Sequence, residues 1–238
     1  MLRTDASTEG LGRPAALLAL AACLLMLAAT VGHPAEGAST SPAPSSSQPK
    51  TIVILGDSLA AGYGVDAAEA FPALLQQKID AAGWRFQVVD AGVSGDTSAG
   101  GLRRVDWLLK RRVDVLIVEL GGNDGLRGIP VGSTLTNLSS IIEHTRQKYP
   151  STRFVVAGMQ MPPNLGEDYN TAFQAMFPAV AKATRAELIP FLLEGVGGRP
   201  ELNQPDGIHP TAEGHKIVAD NVWRILRPLL EKINAPSP

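Results

Sequence analysis

Short apolar runs alternate along this chain with longer stretches in which apolar positions recur every three or four residues. The runs Ile52-Val53-Ile54-Leu55, Gln87-Val88-Val89, Val113 through Leu120, Phe154-Val155-Val156-Ala157 and Leu188-Ile189-Pro190-Phe191 read as strands. The first and third are β-branched and unbroken by polar residues, the pattern of central parallel strands covered on both faces. Between the runs, residues 70–82, 101–112, 134–148 and 169–186 predict amphipathic helices. A last helix over 211–232 sets Ile217, Val218, Val222, Ile225, Leu226 and Leu229 along one face. Thr211 can cap its start, and Glu213 in the first turn suits the helix dipole. Strand and helix alternating in this way imply an α/β fold, a three-layer α/β/α sandwich with a five-stranded parallel sheet, because parallel strands need helical crossovers. Such sheets bind ligands beyond the carboxyl ends of their strands, so chemistry is sought there.

Ahead of this domain the pattern changes. Arg3 and Arg13 precede 17 uncharged residues, Ala15 through Val31. A basic start and an apolar core of that size predict a secretory signal peptide over residues 1–35, slightly short for a membrane span of about 20 residues. Leu20-Ala21-Ala22-Cys23 also resembles a lipoprotein box, which makes a lipid anchor on Cys23 the second reading. Residues 36–50 are rich in Pro, Ser and Ala and read as a linker, leaving 51–234 for the folded domain. A periplasmic or secreted protein is expected, with no stable membrane span once the leader is removed.

Composition narrows the function. The net charge is −2, and from Lys50 onward 19 basic side chains face 20 acidic ones, so no phosphate-binding surface is expected and no nucleic acid. Aromatic residues make up 5%, too few for a base-stacking platform. Cys23 is the sole cysteine, which excludes an internal disulfide and a thiolate metal cluster.

The polar residues gather where the strands end. Gly56-Asp57-Ser58-Leu59 follows the first strand and exposes a hydroxyl at the sheet's carboxyl edge. Asp90 through Ser98 follows the second, with Gly95 leaving room for an acyl group beside its N–H. Glu119-Leu120-Gly121-Gly122-Asn123-Asp124 follows the third and offers a neutral amide donor, Asn123. Near the chain's end, Asp206-Gly207-Ile208-His209-Pro210 sets a carboxylate three residues before a histidine, close enough to hold the ring. Each alone reads as ordinary turn chemistry. Together they supply a nucleophile, a base and oxyanion donors, the needs of acyl transfer. His209, Glu213 and His215 do not form the His-Glu-x-x-His zinc pattern, so no metal is expected. The Gly-x-Ser-x-Gly elbow is absent, which excludes the ordinary α/β-hydrolase arrangement.

In these blocks the chain resembles the SGNH (GDSL) hydrolase superfamily. Ser94 through Ser98 and Glu119 through Gly128 look like its branch of bacterial thioesterase I, arylesterase and lysophospholipase L1 type. The resemblance runs from Thr51 to about Leu230. It implies a flavodoxin-like fold with Ser58 as nucleophile, His209 as base and Asp206 orienting His209. The oxyanion hole would be the N–H groups of Ser58 and Gly95 with the Asn123 side chain. It further implies no cofactor and a small acyl ester or thioester as substrate; a monomer is expected. Met159, Met161, Leu165 and Phe173 are candidates for an apolar wall, with Met161 and Leu165 foremost. A carbohydrate O-acetyl esterase or a non-catalytic ligand carrier on the same scaffold are the alternatives.

Overall fold

The computed structural model describes residues 48–162 and 165–235. The leader over 1–35, including Cys23, and the linker as far as residue 47 lie outside the described residues.

The elements run β1 (Lys50–Gly56), α1 (Phe71–Ala81), β2 (Phe86–Gly92), α2 (Ser98–Leu108), β3 (Val115–Glu119), α3 (Gly122–Leu126), α4 (Val131–Lys148), β4 (Arg153–Ala157), α5 (Glu167–Thr184), β5 (Glu187–Ile189) and α6 (Ala212–Asn234). The five strands pair in the order β2-β1-β3-β4-β5, all parallel. Helices α1 and α6 pack on each other over one face, and α4 packs between α2 and α5 over the opposite face. The three-layer sandwich read from the alternation is the fold that forms.

The core sits on both sides of β1 and β3. Ile52, Ile54, Leu55 and Val115 through Val118 are buried, covered by Phe71, Leu75, Ile79, Val218, Val222 and Leu226 from one layer. Val105, Leu138, Ile141, Ile142, Phe173 and Phe177 fill the other layer. Each fully buried side chain of this size stabilises the fold by about 1.5–3 kcal/mol relative to exposure.

Boundaries shift where local chemistry competes with periodicity. Helix α2 begins at Ser98 rather than at Gly101, because the Thr97 hydroxyl caps it by accepting from Gly100 N–H at 3.2 Å. Strand β5 stops at Ile189 and does not reach Phe191, since Pro190 has no N–H to give a ladder. Thr211 caps α6 as its sequence predicts, accepting from Gly214 N–H at 3.3 Å. The segment Gly121-Gly122-Asn123-Asp124, expected as a loop, instead opens the short helix α3. Its glycines conceal helix from any propensity reading. No helix among the described residues is long and apolar enough to cross a membrane.

Candidate active site

Sheet register brings the site together. Gly56, the last residue of β1, pairs with Gly92 on one side and Glu119 on the other. Three chain segments therefore leave the sheet at one level: Asp57-Ser58 from β1, Val93 to Asp96 from β2, and Leu120 to Asn123 from β3. This is the point where strand order reverses between β1 and β3, the usual crevice of such sheets. Close approach demands glycine here. A Cβ on Gly92 would collide with the Ala61 amide nitrogen and lie 2.8 Å from the Asp57 carbonyl oxygen.

Ser58 starts a turn in which Ala61 N–H donates to the Asp57 carbonyl and Tyr63 N–H to the Ser58 carbonyl, both at 3.0 Å. Its Oγ lies 2.9 Å from His209 Nε2, and His209 Nδ1 lies 2.7 Å from Asp206 Oδ2. Asp206 also accepts through Oδ1 from the backbone N–H groups of Ile208 and His209, each at 3.0 Å. Those bonds, the Ile208 N–H foremost, hold its pKa down to about 2, so the carboxylate stays charged opposite the ring.

A tight return of the chain carries this turn. Asn203 bridges to Pro210, and Gln204 N–H donates to the His209 carbonyl at 2.7 Å. The Gln204 amide then donates to the Tyr63 carbonyl at 2.6 Å, tying the histidine turn to the serine turn. Tyr63 packs its ring against the His209 imidazole, centroids 4.6 Å apart and planes tilted by 40°.

Two more predicted residues face the same space. Gly95 has φ +78°, a backbone conformation that side chains disfavour, and its carbonyl accepts from Arg127 Nη2 at 3.0 Å. Asn123, in the first turn of α3, donates through Nδ2 to Asp57 Oδ2 at 3.0 Å, which leaves the second N–H of that amide free to point elsewhere. Among the described residues no backbone carbonyl takes the backbone N–H of Ser58 or Gly95. Asp57 is 2% exposed and also accepts from Leu59 N–H at 3.0 Å through Oδ1. Burial pushes its pKa up to about 6. Directly behind it, Glu119 accepts the Asp57 N–H at 3.1 Å, and burial, with the Asp57 charge second, raises its pKa well above the carboxylate range.

Ser58 and His209 open onto a cleft of about 610 Å³ whose lining includes Tyr63, Gly95, Asn123 and Leu126. Met159 and Met161 line it as well, with Phe191, Leu193 and Ile208 completing a mainly apolar wall. Two expectations fail. Leu165 is half-buried, two residues ahead of α5, and is not among the residues that line the cleft. Phe173 is fully buried, packed edge-on against Phe177 at 5.3 Å, and belongs to the core.

Three participants escaped the sequence reading. Asp57 sits beside the candidate serine, but nothing separates a site carboxylate from a turn former there. Tyr63 reaches His209 only through folding, 146 positions along the chain. Arg104 joins Asp96, Ala91 and Gly56, residues whose spacing follows no local rule.

A hydroxyl, an imidazole and a carboxylate hydrogen-bonded in series at the reversal point of a 2-1-3-4-5 parallel sheet define a serine hydrolase of the SGNH type. The chain belongs to the GDSL-like lipase/acylhydrolase family, whose sequence model matches residues 54–217. It is 42% identical over 182 residues to the esterase TesA of Pseudomonas aeruginosa, covering 76% of this chain and 90% of that protein. It is 41% identical over 181 residues to thioesterase 1/protease 1/lysophospholipase L1 of Escherichia coli, covering 76% and 85%. A crystal structure of TesA superposes with a TM-score of 0.73 at 41% identity, over 76% of this chain and 99% of that one.

Proposed function

We propose that this protein hydrolyses carboxylic esters and thioesters with short to medium acyl chains through an acyl-serine intermediate. The observation that carries this reading is the chain of contacts from Ser58 Oγ through His209 to Asp206, at 2.9 and 2.7 Å. The names of relatives at about 40% identity, an esterase and a thioesterase, support it.

In the first step His209 Nε2 takes the Ser58 proton while Oγ bonds to the substrate's carbonyl carbon and the carbonyl π electrons move to oxygen. The N–H groups of Ser58 and Gly95 and the Asn123 amide receive that oxyanion. As the oxyanion collapses, the bond to the leaving oxygen or sulfur breaks and His209 returns the proton to it. Water then repeats the sequence. His209 deprotonates it, its oxygen attacks the acyl carbon, and the acid departs as Ser58 regains a proton. Asp206 remains anionic throughout and faces the imidazolium each time it forms. The apolar wall of Met159, Met161, Phe191 and Leu193 suits an acyl chain. Every side chain named comes from one copy of the protein, so a monomer suffices. The basic and apolar leader supports export to the periplasm or beyond, which the intact mass of exported protein would test.

A fluorophosphonate tests the chemistry. The wild-type protein should be labelled on Ser58, Ser58→Ala should not, and an unlabelled wild type would leave only a ligand carrier. Nitrophenyl esters, acyl-CoA, lysophospholipid and acetylated xylan assayed in parallel test the substrate class. Release of acetate from xylan alone would replace this reading with a carbohydrate esterase.

A further inference from the structure

Arg104 lies two turns into α2, on no surface of the cleft, yet its guanidinium reaches three segments that end at the site. Side chains on a helix lean toward its N-terminus, and this one runs back to the start of α2. Nε donates to Asp96 Oδ2 at 2.7 Å, Nη1 to the Ala91 carbonyl at 2.6 Å, and Nη2 to the Gly56 carbonyl at 2.8 Å. Gly56 stands two residues before Ser58, Ala91 is the last but one residue of β2, and Asp96 follows Gly95. The Gly56 carbonyl accepts a second bond, from Val93 N–H at 3.1 Å, at the head of the Gly95 loop. Asp96 is itself held: Oδ1 accepts from Thr97 N–H at 3.1 Å, and a Cβ at Gly100 of α2 would have to displace that oxygen. The Arg104 and Asp96 side chains are 22% and 12% exposed, so water competes little for these bonds.

We propose that Arg104 is a positioning residue that sets the distance between the Ser58 N–H and the Gly95 N–H. One planar fork holds the β1 end, the β2 end and the Gly95 loop at a fixed mutual spacing, a task that needs several donors in one plane. A lysine could keep the contact with Asp96 but could not span all three acceptors. The proposal rests on the reading that both N–H groups receive the oxyanion. A donor displaced by about 1 Å can cost on the order of 10² in rate. Substrate binding along the apolar wall does not pass through this fork.

The test uses the full protein with Arg104→Lys and Arg104→Ala, a nitrophenyl ester, and fluorophosphonate labelling. Arg104→Ala should lower kcat about 10²-fold with KM little changed. Labelling should slow in proportion, and Arg104→Lys should fall between the two. Millimolar ethylguanidine should restore part of the lost kcat in Arg104→Ala and leave the wild type unaffected. Should Arg104→Ala fail to fold, the kcat and labelling rate of Arg104→Lys decide. Wild-type kcat and labelling in a folded Arg104 variant would overturn the proposal while leaving the serine mechanism intact. A loss in KM alone, or one that ethylguanidine does not relieve, would also overturn it. An unlabelled wild type would remove the mechanism and this proposal together.

Discussion

Asn123 shows how one side chain is aimed. An asparagine amide turns freely in water, and as a hydrogen-bond donor to an oxyanion it helps only if one N–H is already pointed. Asp57 fixes it by accepting the other N–H at 3.0 Å, while Leu59 N–H occupies the second carboxylate oxygen. The arrangement brings two carboxylates, Asp57 and Glu119, behind a site that must stabilise negative charge. Burial answers this by raising the pKa of both, Asp57 to about 6 and Glu119 well above the carboxylate range, which disfavours charge behind the site. Replacing Asn123 by Ala should lower kcat by about 10²–10³ with KM nearly unchanged, read on a nitrophenyl ester at pH 8. Wild-type turnover in that variant would remove Asn123 from the mechanism.

At the scale of elements, the edge of the sheet has its own solution. β2 is an outer strand, with unpaired backbone groups that invite another strand. Gln76 of α1 closes it: its Oε1 accepts Val88 N–H at 2.7 Å and its Nε2 donates to the Phe86 carbonyl at 3.1 Å. One side chain thus imitates the neighbouring strand. Gln76→Ala should lower unfolding free energy by about 1 kcal/mol, measured by urea titration. It should also raise self-association at high concentration, measured by size exclusion. An unchanged midpoint would mean that water replaces the amide fully. Helix α3 is secured by two neighbouring helices: Asp124 accepts from Ser98 N–H at 2.8 Å and from the Thr134 hydroxyl at 3.1 Å. Five residues rich in glycine would not hold a helix alone, and this buried carboxylate ties them to α2 and α4.

For the whole molecule, the response to acid has a calculable sign. His215 is buried in α6, accepts Phe71 N–H at 3.3 Å through Nδ1, and stacks on the Phe71 ring. Burial first, and the charge of His209 second, lower its pKa to about 4. An unfolded histidine protonates near 6.5, so between these values the unfolded chain holds the extra proton. The stability His215 contributes is whole above about pH 6.5 and is lost as pH falls toward 4, roughly 3 kcal/mol in all. Asp57 works in the opposite direction. Its raised pKa makes the folded state bind a proton first as pH drops through about 6. The two are separated by comparing wild type with His215→Gln, which keeps an acceptor for Phe71 N–H and does not titrate. Urea titrations from pH 7 to 4 should show the wild type losing roughly 3 kcal/mol more than the variant. Parallel curves would rule out the buried histidine as the acid-sensitive group.

By itself the sequence determined the parallel α/β sandwich, because the alternation of apolar runs with helical periodicity admits few other packings. It also singled out Ser58, Gly95, Asn123, Asp206 and His209, since those residue types recur where strands end. The particulars of contact were decided by tertiary structure alone. Leu165 and Phe173 lie close in sequence to Met161, which lines the cleft, yet Leu165 stays outside the lining and core packing claims Phe173. Asp57, Tyr63 and Arg104 take their places through sheet register and helix direction. Local patterns fix which face of an element is apolar; which distant groups meet across it depends on how the elements stack. Pairing Gly56 with Gly92 and Glu119 settles that question here.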